Sequence, residues 1–264
     1  MKIMRHTSIL ILLALCICST EAADPMADFC NKDTNISKSS QISANVDSLL
    51  AQLVSKTAST GFFTTSHGKG QAQVYGLAQC RGDVVGSKDC SSYIQDAEKQ
   101  IHQRCPNQAE ATIWYDFCFL RYSNKSFIGK VDTSNGIIFT NPWNVSDVTD
   151  PQNFKKKLGA LVDNNTAQAL VPKNVGFGKA ETKLSPSVTL YAFVQCTRDL
   201  SKPRCSRCLA IAVGNYETIC GDRQGCRVLY GSCYVRYEVF PIFYSVGSNS
   251  RMNVGAHDTV MTQV

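Results

Sequence analysis

The sequence predicts an α+β fold in which two tandem copies of one small domain each pack two helices on an antiparallel sheet, stapled by disulfides. Three observations predict it. The chain repeats itself once, each copy alternates segments of helical and strand-like periodicity, and 13 of the 264 residues are cysteine. Roughly 240 residues follow a cleavable N-terminal segment, which suits two domains of ordinary size.

The first residues have the pattern of a secretory signal peptide. Lys2 and Arg5 precede an apolar run, and small residues close the segment at Ala22 and Ala23. We therefore expect residues 1–23 to be removed and the mature protein to be secreted. We expect no membrane insertion, because no later apolar run is long enough to span a bilayer. Removal of the segment lowers the formal net charge from +6 to +5.

The cysteines after residue 23 predict a disulfide framework with at least one unpaired thiol, because their number is odd. Four sequons also indicate secretion and are candidates for N-glycosylation, at Asn35, Asn124, Asn144 and Asn164. The charges are scattered. The densest cluster, Lys155 to Lys157, is typical of a solvated helix face, so we expect no nucleic-acid binding.

The internal repeat appears in the register of cysteines and aromatic residues. Equivalent residues stand 115 positions after Cys90, Cys105 and Cys118, and 116 positions after Tyr75 and Cys80. A single insertion or deletion explains the change in offset from 116 to 115. The repeat divides the chain into a first domain at 24–130, a linker at 131–141, a second domain at 142–245 and a polar tail at 246–264. The tail lacks the hydrophobic end that a lipid-anchor signal requires.

Each copy is expected to begin with an amphipathic helix. Apolar residues recur at helical spacing from Ile42 to Val54 in copy one and from Phe154 to Val162 in copy two. In copy two, Asp150 and Pro151 have the residue types expected at the N-cap and at the first helical position.

Strands and a second helix complete each copy. Aromatic and β-branched residues predict strands at 62–66, 74–80 and 188–195. Second helices are predicted at 93–104 and 208–219. In the closing segments, 113–122 and 228–240, apolar and polar residues alternate, which is typical of antiparallel strands with one buried face.

The cysteine spacing of copy two carries a family resemblance. Cys196-x8-Cys205-x2-Cys208, followed by Cys220 and Cys233, resembles the plant cysteine-rich repeat secretory proteins, whose repeat is the stress/antifungal domain of ginkbilobin. The same repeat, usually in tandem, forms the ectodomains of cysteine-rich receptor-like kinases. The resemblance covers about residues 28–244 and implies an apoplastic protein.

A Cys-x2-Cys pair also occurs in zinc sites and in redox motifs. Zinc requires a second pair of ligands, and a thioredoxin-like motif requires a βαβ unit. The sequence offers neither around Cys205 and Cys208. We therefore expect no metal and no cofactor.

The resemblance also implies the pairing of cysteines. The family joins its first and fifth, second and third, and fourth and sixth cysteines, which implies the bridges Cys30–Cys105, Cys80–Cys90, Cys196–Cys205 and Cys208–Cys233. In copy two the first cysteine is missing and Cys226 is extra, so we predict a Cys220–Cys226 bridge.

Copy one departs from the family pattern at Tyr93, which stands where the family has the cysteine that would bond Cys118. Cys118 is therefore expected to be unpaired. It is either a small apolar residue buried in its strand or a reactive or interchain thiol.

The resemblance to ginkbilobin implies mannose binding through an asparagine, an arginine and a glutamate. Copy one keeps only Asn31, because Thr112 and Ser123 replace the other two. Copy two keeps Arg227 and Glu238. An amide, a guanidinium and a carboxylate together satisfy adjacent sugar hydroxyls.

The sugar site in copy two is incomplete, since the asparagine is replaced there unless Asn141 or Asn144 substitutes for it. An arginine and a glutamate on neighbouring strands also form ordinary cross-strand pairs that contribute little energy. Both interpretations stay open at the level of the sequence.

Catalysis is not expected. His67, His102 and His257 lie in no nucleophile, metal or phosphate-loop motif, and Gly68-Lys-Gly70 lacks the strand–turn–helix context of a nucleotide site. Two functions fit. One is a defence protein that binds a mannose-like cell-wall or microbial glycan or acts against fungi. The other is a protein-interaction module, resembling a receptor ectodomain and redox-sensitive through its spare thiol.

Overall fold

The computed structural model describes residues 24–86, 88–244 and 260–263. The expected signal peptide, residues 1–23, lies outside the described residues, as does the tail at 246–259. The four α-helices are α1 Gln41–Thr60, α2 Lys88–Arg104, α3 Pro151–Ala169 and α4 Lys202–Asn215. A π-helical turn, Tyr216–Cys220, extends α4.

Eleven strands are formed by the described residues. Copy one contains β1 Ala27–Cys30, β2 Phe62–His67, β3 Val74–Cys80, β4 Glu110–Trp114 and β5 Cys118–Ser123. Copy two contains β6 Ile137–Thr140, β7 Phe177–Lys183, β8 Thr189–Cys196, β9 Cys226–Leu229 and β10 Cys233–Glu238, and the tail adds β11 Val260–Gln263. The sheet orders are β1-β4-β5-β3-β2 and β11-β6-β9-β10-β8-β7, all antiparallel.

The predicted fold class is therefore confirmed, with two helices on one face of each antiparallel sheet. The signals for the helix ends act as expected. The Asp150 carboxylate accepts the backbone N–H of Asn153, with Pro151 at the first helical position of α3. At the end of α1, Gly61 adopts the left-handed conformation, with φ of 69°, that closes the helix.

The helices bury their apolar faces against the sheets. Leu49, Leu50 and Leu53 of α1 are fully buried in copy one, as is Leu209 of α4 in copy two. Burial of such a side chain contributes about 1.5–3 kcal/mol relative to exposure. Each copy has its own core on this side of the sheet.

The opposite faces of the two sheets pack against each other. The sequence predicts one buried face per strand, but β5 and β10 are buried along almost their whole length. Trp114 of copy one and Leu229 of copy two belong to one apolar cluster between the sheets. The prediction of one solvated face is wrong for these strands, because each sheet provides the cover for the other.

The contact between the copies has approximate twofold symmetry. Gln79 and Gln195 are equivalent in the repeat, and each donates its side-chain amide across the interface: Gln79 to the carbonyl of Cys196 at 3.0 Å, and Gln195 to that of Cys80 at 3.2 Å. Both residues are buried. Buried amides that are satisfied only by the other copy fix the relative position of the two domains.

Two boundaries differ from the sequence expectation. The expected linker at 131–141 contains β6, which pairs with β9 and forms part of the second sheet. The expected polar tail contains β11, which pairs with β6 at the sheet edge. The described residues include no helix that is both long enough and apolar enough to cross a bilayer.

Candidate functional site

The structure brings Arg227 and Glu238 together but buries both. Arg227 lies on β9 and Glu238 ends β10, with the Arg227 Nε atom 3.6 Å from Glu238 Oε1. Their exposed fractions are 2% and 1%. They lie on the face of the second sheet that packs against copy one, where Arg227 Nη1 approaches Met26 Sδ at 3.2 Å.

Asn31, the third residue of the expected sugar set, makes its side-chain contacts within copy one. Its amide donates to Glu110 Oε2 at 2.7 Å, and its side-chain oxygen accepts the backbone N–H of Asp33 and so caps a short 3₁₀ turn. The equivalents of the arginine and the glutamate in copy one, Thr112 and Ser123, are both buried. The side-chain amide and the side-chain oxygen of Asn31 thus both have hydrogen-bond partners within copy one.

Arg227 and Glu238 belong to a larger set of buried ionic groups, which we call the interdomain charge network. Arg236 connects the two copies, since its Nε lies 3.2 Å from Glu238 Oε1 and its Nη1 lies 3.0 Å from Asp116 Oδ1 of copy one. Arg81 is 3.5 Å from the same Asp116 oxygen. The network consists of Arg81, Asp83, Asp116, Arg227, Arg236 and Glu238.

Asp116 is the central carboxylate of this network. Burial alone would raise the pKa of Asp116, but Arg236, Arg81 and then Arg227 hold it below the ordinary value of 3.8. The hydroxyl of Tyr234 also lies 3.4 Å from the carboxylate. Asp116 is therefore ionised at neutral pH, and its charge is offset by guanidinium groups from both copies.

Arg81 extends the network within copy one. Its Nε is 2.7 Å from Asp83 Oδ1, and its guanidinium lies 4.5 Å from the ring centroid of Phe117 and 4.9 Å from that of Phe193. Phe117 and Phe193 come from different copies. The cation is thus placed between two aromatic rings as well as two carboxylates, which is a favourable environment for a buried guanidinium.

Because Arg227 and Glu238 are buried, a ligand in solvent cannot reach their side chains in this arrangement. A sugar hydroxyl would reach them only if the two sheets separated. Arg227 and Glu238 form the cross-strand ion pair that was one of the two interpretations of the sequence. Through Arg227 and the neighbouring Arg236, this pair is also linked to residues of copy one that are more than 100 positions away in the chain. Their residue types alone gave no signal of this, because the partner residues lie in the other copy.

Asn141 and Asn144 flank an exposed tryptophan. Asn141 is buried and accepts the backbone N–H of Trp143 at 2.9 Å, whereas Asn144 accepts Arg223 Nη1 at 3.0 Å. The indole of Trp143 is 58% exposed. Asn144 stands at the N-cap position of a 3₁₀ turn, as Asn31 does in copy one, so Trp143 occupies the position of Cys30.

The loop around Trp143 is held by hydrogen bonds where copy one has a disulfide. Gln224 donates its backbone N–H to the carbonyl of Trp143 at 2.9 Å, and Val145 donates to that of Asp222 at 2.7 Å. Arg223 Nη1 bonds the carbonyl of Pro142 at 2.7 Å. The loop therefore presents a large aromatic side chain from an ordered backbone.

Three of the four sequon asparagines are exposed, namely Asn35, Asn144 and Asn164. Asn124 is half-buried, and its side-chain oxygen has no hydrogen-bond partner among the residues that the structure describes. Asn35 bonds the amide of Gln108, and Asn164 lies on α3. Glycosylation of these residues stays a prediction from the sequence.

Five disulfides are present, and they are the five pairs expected from the sequence: Cys30–Cys105, Cys80–Cys90, Cys196–Cys205, Cys208–Cys233 and Cys220–Cys226. Cys118 is the free cysteine of the described residues and is buried. Its sulfur lies 3.4 Å from the carbonyl oxygen of Tyr93, the residue that replaces its partner.

The environment of Cys118 favours an inert thiol. Burial raises its pKa well above the ordinary value of 9.0, and Asp96 adds to the shift. Because the thiolate is the reactive species, such a thiol reacts slowly. We expect iodoacetamide at pH 8 to leave Cys118 unmodified in the folded protein and to modify it fully in denaturant. Labelling of the native protein at the rate of a free thiol peptide would contradict this expectation.

One group of potential metal ligands converges in the described part of the chain. Asp28, Cys30 and Cys105 have their ligand atoms within 4.8 Å of one another. Cys30 and Cys105 are joined as a disulfide, so they offer no thiolate to a metal.

The described histidines also have local partners. His67 Nδ1 lies 3.1 Å from the side-chain amide of Gln52, and His102 Nε2 lies 3.3 Å from a carboxylate oxygen of Glu98 on α2. Gly68 and Gly70 have positive φ in the loop between β2 and β3, which explains the Gly-Lys-Gly sequence as a turn. His257 lies outside the described residues.

The chain is similar to known proteins over most of its length. The family model described as salt stress response/antifungal matches residues 29–125 and 142–239. Cysteine-rich repeat secretory protein 55 of Arabidopsis thaliana is 55% identical over 236 residues, which cover 89% of each chain. An antimicrobial ginkbilobin-2-like protein of Castanea crenata is 39% identical over 88% of this chain and 94% of its own.

Among solved structures, the tandem DUF26 ectodomain of the Arabidopsis thaliana cysteine-rich receptor-like protein PDLP8 superimposes with a TM-score of 0.73. It is 27% identical in sequence, and the match covers 82% of this chain and 98% of that one. The tandem arrangement of two cysteine-rich domains is therefore shared with a receptor-type ectodomain.

Proposed function

Because the chain belongs to the salt stress response/antifungal family, we propose that it is a secreted, non-catalytic protein that acts as an extracellular protein-interaction module. The name of the relative with 55% identity describes a secretory protein, and the similar solved structure is the ectodomain of a receptor-like protein. Both support an apoplastic location and a role in recognition for this chain. The expected signal peptide supports the same location.

The observation that carries the proposal is the buried charge network between the two copies. It places Arg227 and Glu238 against copy one, where they pair with protein groups. Recognition then depends on the outer surface of the tandem. An ordered body with large outer faces suits binding to another folded protein, since little conformational entropy is lost on association.

Trp143 is the side chain best placed to anchor such a partner. Tryptophan is strongly enriched among the residues that dominate binding energy in protein interfaces. At 58% exposure on a loop pinned by hydrogen bonds, Trp143 offers apolar area at little entropic cost. The guanidinium of Arg223, bonded beside it, adds a polar group of the type found around such anchors.

A capture experiment tests this function. We expect the secreted, disulfide-bonded protein to bind a member of a panel of immobilised plant receptor-like kinase ectodomains with a defined stoichiometry. We expect Trp143→Ala to weaken this binding at least tenfold, which corresponds to about 1.4 kcal/mol. Surface plasmon resonance measures the affinity.

Val85→Ala is the matched control for that experiment, because it shortens another exposed apolar side chain, 37% accessible, in copy one. It is expected to leave the affinity within twofold, and both variants are expected to keep the melting temperature. The absence of saturable binding to every ectodomain of the panel would contradict the proposed interaction function.

A second candidate function is an antimicrobial or glycan-binding role, which the name of the relative from Castanea crenata favours. Mannose is titrated into the wild-type protein, with backbone amide shifts as the readout. Arg227→Ala and Glu238→Ala are unsuitable here, because each removes a buried charge partner and so perturbs the interface. Saturable shifts at Asn31 or around β9 would favour this candidate; unchanged shifts at millimolar mannose would exclude mannose binding.

A further inference from the structure

A cleft opens between the two helices of copy two. It has a volume of about 340 Å³ and lies between the first half of α3 and the last turns of α4. Phe154, Leu158 and Val162 of α3 line one wall, and Val213 and Tyr216 line the other, with Lys155 at the rim. Its volume is in the range of small-molecule sites in proteins, which are concave and mostly apolar.

The duplication provides an internal comparison for this cleft. In copy one, α1 and α2 pack along each other, whereas α3 and α4 touch only sparsely. Protein interiors are close-packed, and unfilled apolar space forfeits dispersion contacts. The same fold is therefore closed between the helices of one copy and open between those of the other.

Two glycines line the cleft. Gly159 lines it, and a Cβ atom there would meet no atom within 4 Å. Gly221, at the turn that ends the π-helical extension of α4, also lines the cleft and has equally open space beside it. Larger residues at these positions would narrow the opening.

A buried polar group lies in the wall of the cleft. Tyr216 is 5% exposed, and its hydroxyl has no hydrogen-bond partner among the residues that the structure describes. Burial raises its pKa well above the ordinary value of 10.0, so it is a neutral hydroxyl that can donate or accept. Buried polar groups normally find a partner, so the unpaired hydroxyl shows that this wall of the cleft is incompletely packed.

Positive charge lies beside the cleft on α3, which has three lysines and one aspartate. The lysine and two arginines of α4 lie in its first half, away from the cleft at its last turns, and its extension carries Glu217. In α1 and α2, acidic residues equal lysines and arginines in number. Lys155 pairs with Asp222 at 3.2 Å, but both side chains are more than half exposed, so this pair is weak and exchanges readily.

We propose that copy two binds an amphiphilic anion, an alkyl carboxylate, with its chain in the cleft between α3 and α4 and its carboxylate beside Lys155. The apolar walls match the chain, and the positive charge of Lys155 matches the head group. The proposal is independent of the protein-interaction function, because the cleft is formed by α3 and α4 and does not include Trp143.

Isothermal titration with dodecanoate, below its micelle concentration, tests the proposal on the full disulfide-bonded protein. We expect saturable binding to one site. Gly159→Leu is expected to weaken it at least tenfold, since leucine fills the cleft while favouring the helix. Gly214→Leu is the matched control, because Gly214 is an open, exposed position on α4 outside the lining, and the affinity should stay within twofold.

The head group is tested separately. Lys155→Ala should weaken dodecanoate binding at least threefold and leave dodecanol binding unchanged, and the control Lys156→Ala should change neither. Vesicles of anionic phosphatidylglycerol distinguish a membrane surface from a free amphiphile. No saturable binding of dodecanoate, equal affinity in the two leucine variants, or binding to vesicles alone would each overturn the proposal.

Discussion

Replacement of Asp116 by asparagine is expected to lower the free energy of unfolding by about 3–5 kcal/mol, the usual cost of removing one partner from a buried ion pair. The carboxylate lies between Arg236 of copy two and Arg81 of copy one. Asparagine has nearly the same shape but leaves both guanidinium groups without their shared counter-charge. Urea unfolding, followed by circular dichroism, measures the change.

The repeat supplies a matched control for this prediction. Arg121 is the equivalent of Arg236, and it pairs with Asp132 at 2.8 Å, where the aspartate side chain is 26% exposed. Asp132→Asn removes the same kind of charge from a pair whose carboxylate is partly exposed to water, so its cost is expected to be smaller than that of Asp116→Asn. An equal loss of unfolding free energy in the two variants would mean that the interdomain charge network contributes no more to stability than the Arg121–Asp132 pair.

The pKa of Asp116 adds a pH dependence to the same network. The carboxyl has a folded-state pKa below its ordinary value of 3.8, so its stabilising contribution is fully present above that value. The contribution is lost as the pH falls through the lower, folded-state value. We expect the stability difference between wild type and Asp116→Asn to be constant from pH 7 to about 5 and to shrink below about pH 4. A stability difference between wild type and Asp116→Asn that grows as the pH falls would contradict a lowered pKa of Asp116 in the folded protein.

Loss of the Cys30–Cys105 bridge is expected to have the second-largest effect, about 4 kcal/mol. The two cysteines are 75 residues apart, so the bridge removes much conformational freedom from the unfolded chain. The double variant Cys30→Ser with Cys105→Ser removes both cysteines of the bridge, so it creates no additional unpaired thiol that could form a misplaced bond. Thermal unfolding at fixed protein concentration measures the loss.

The short bridge of copy two is the control. Cys220 and Cys226 are six residues apart, and the same chain-entropy relation assigns their bridge about 2 kcal/mol. The double serine variant at these positions should therefore be clearly less destabilised than the one at Cys30 and Cys105. A reversed order would show that strain or packing, and not loop length, governs the contribution of these bridges.

Local patterns in the sequence were enough to predict the helices and most central strands. The apolar spacing in α1 and the Asp150–Pro151 signal at the start of α3 are local, and the structure has both. The sequence does not indicate β7, although it predicts the equivalent strand of copy one, β2. β7, Phe177–Lys183, is an edge strand with a mixed, largely polar sequence. Its apolar and polar residues alternate only weakly, so the pattern does not indicate a strand.

The second buried face of each sheet could not be predicted from such patterns. Gln79, Arg121 and Arg236 lie at alternating positions that resemble a solvated strand face, yet all three are buried. They are satisfied by groups about 110 to 120 residues away in the other copy. Alternation reports the polarity of a face but not whether another sheet covers it.

The same limit applies to the candidate sugar site. Arg227 and Glu238 have the types and spacing of a family motif, and the structure does bring them together. Their environment depends on Arg236 and on Asp116 from copy one, which the motif does not include. The equivalence of Trp143 and Cys30 is visible only in the structure, where each precedes the N-cap asparagine of a 3₁₀ turn.

Scanning calorimetry of the intact, oxidised protein tests the central claim, that the charge network locks the two copies into one body, most directly. A single transition is predicted, with a calorimetric enthalpy equal to the van't Hoff enthalpy, because neither sheet keeps its cover once the other unfolds. Asp116→Asn should separate it into two. Two independent transitions in the wild type, both unmoved by Asp116→Asn, would contradict the account.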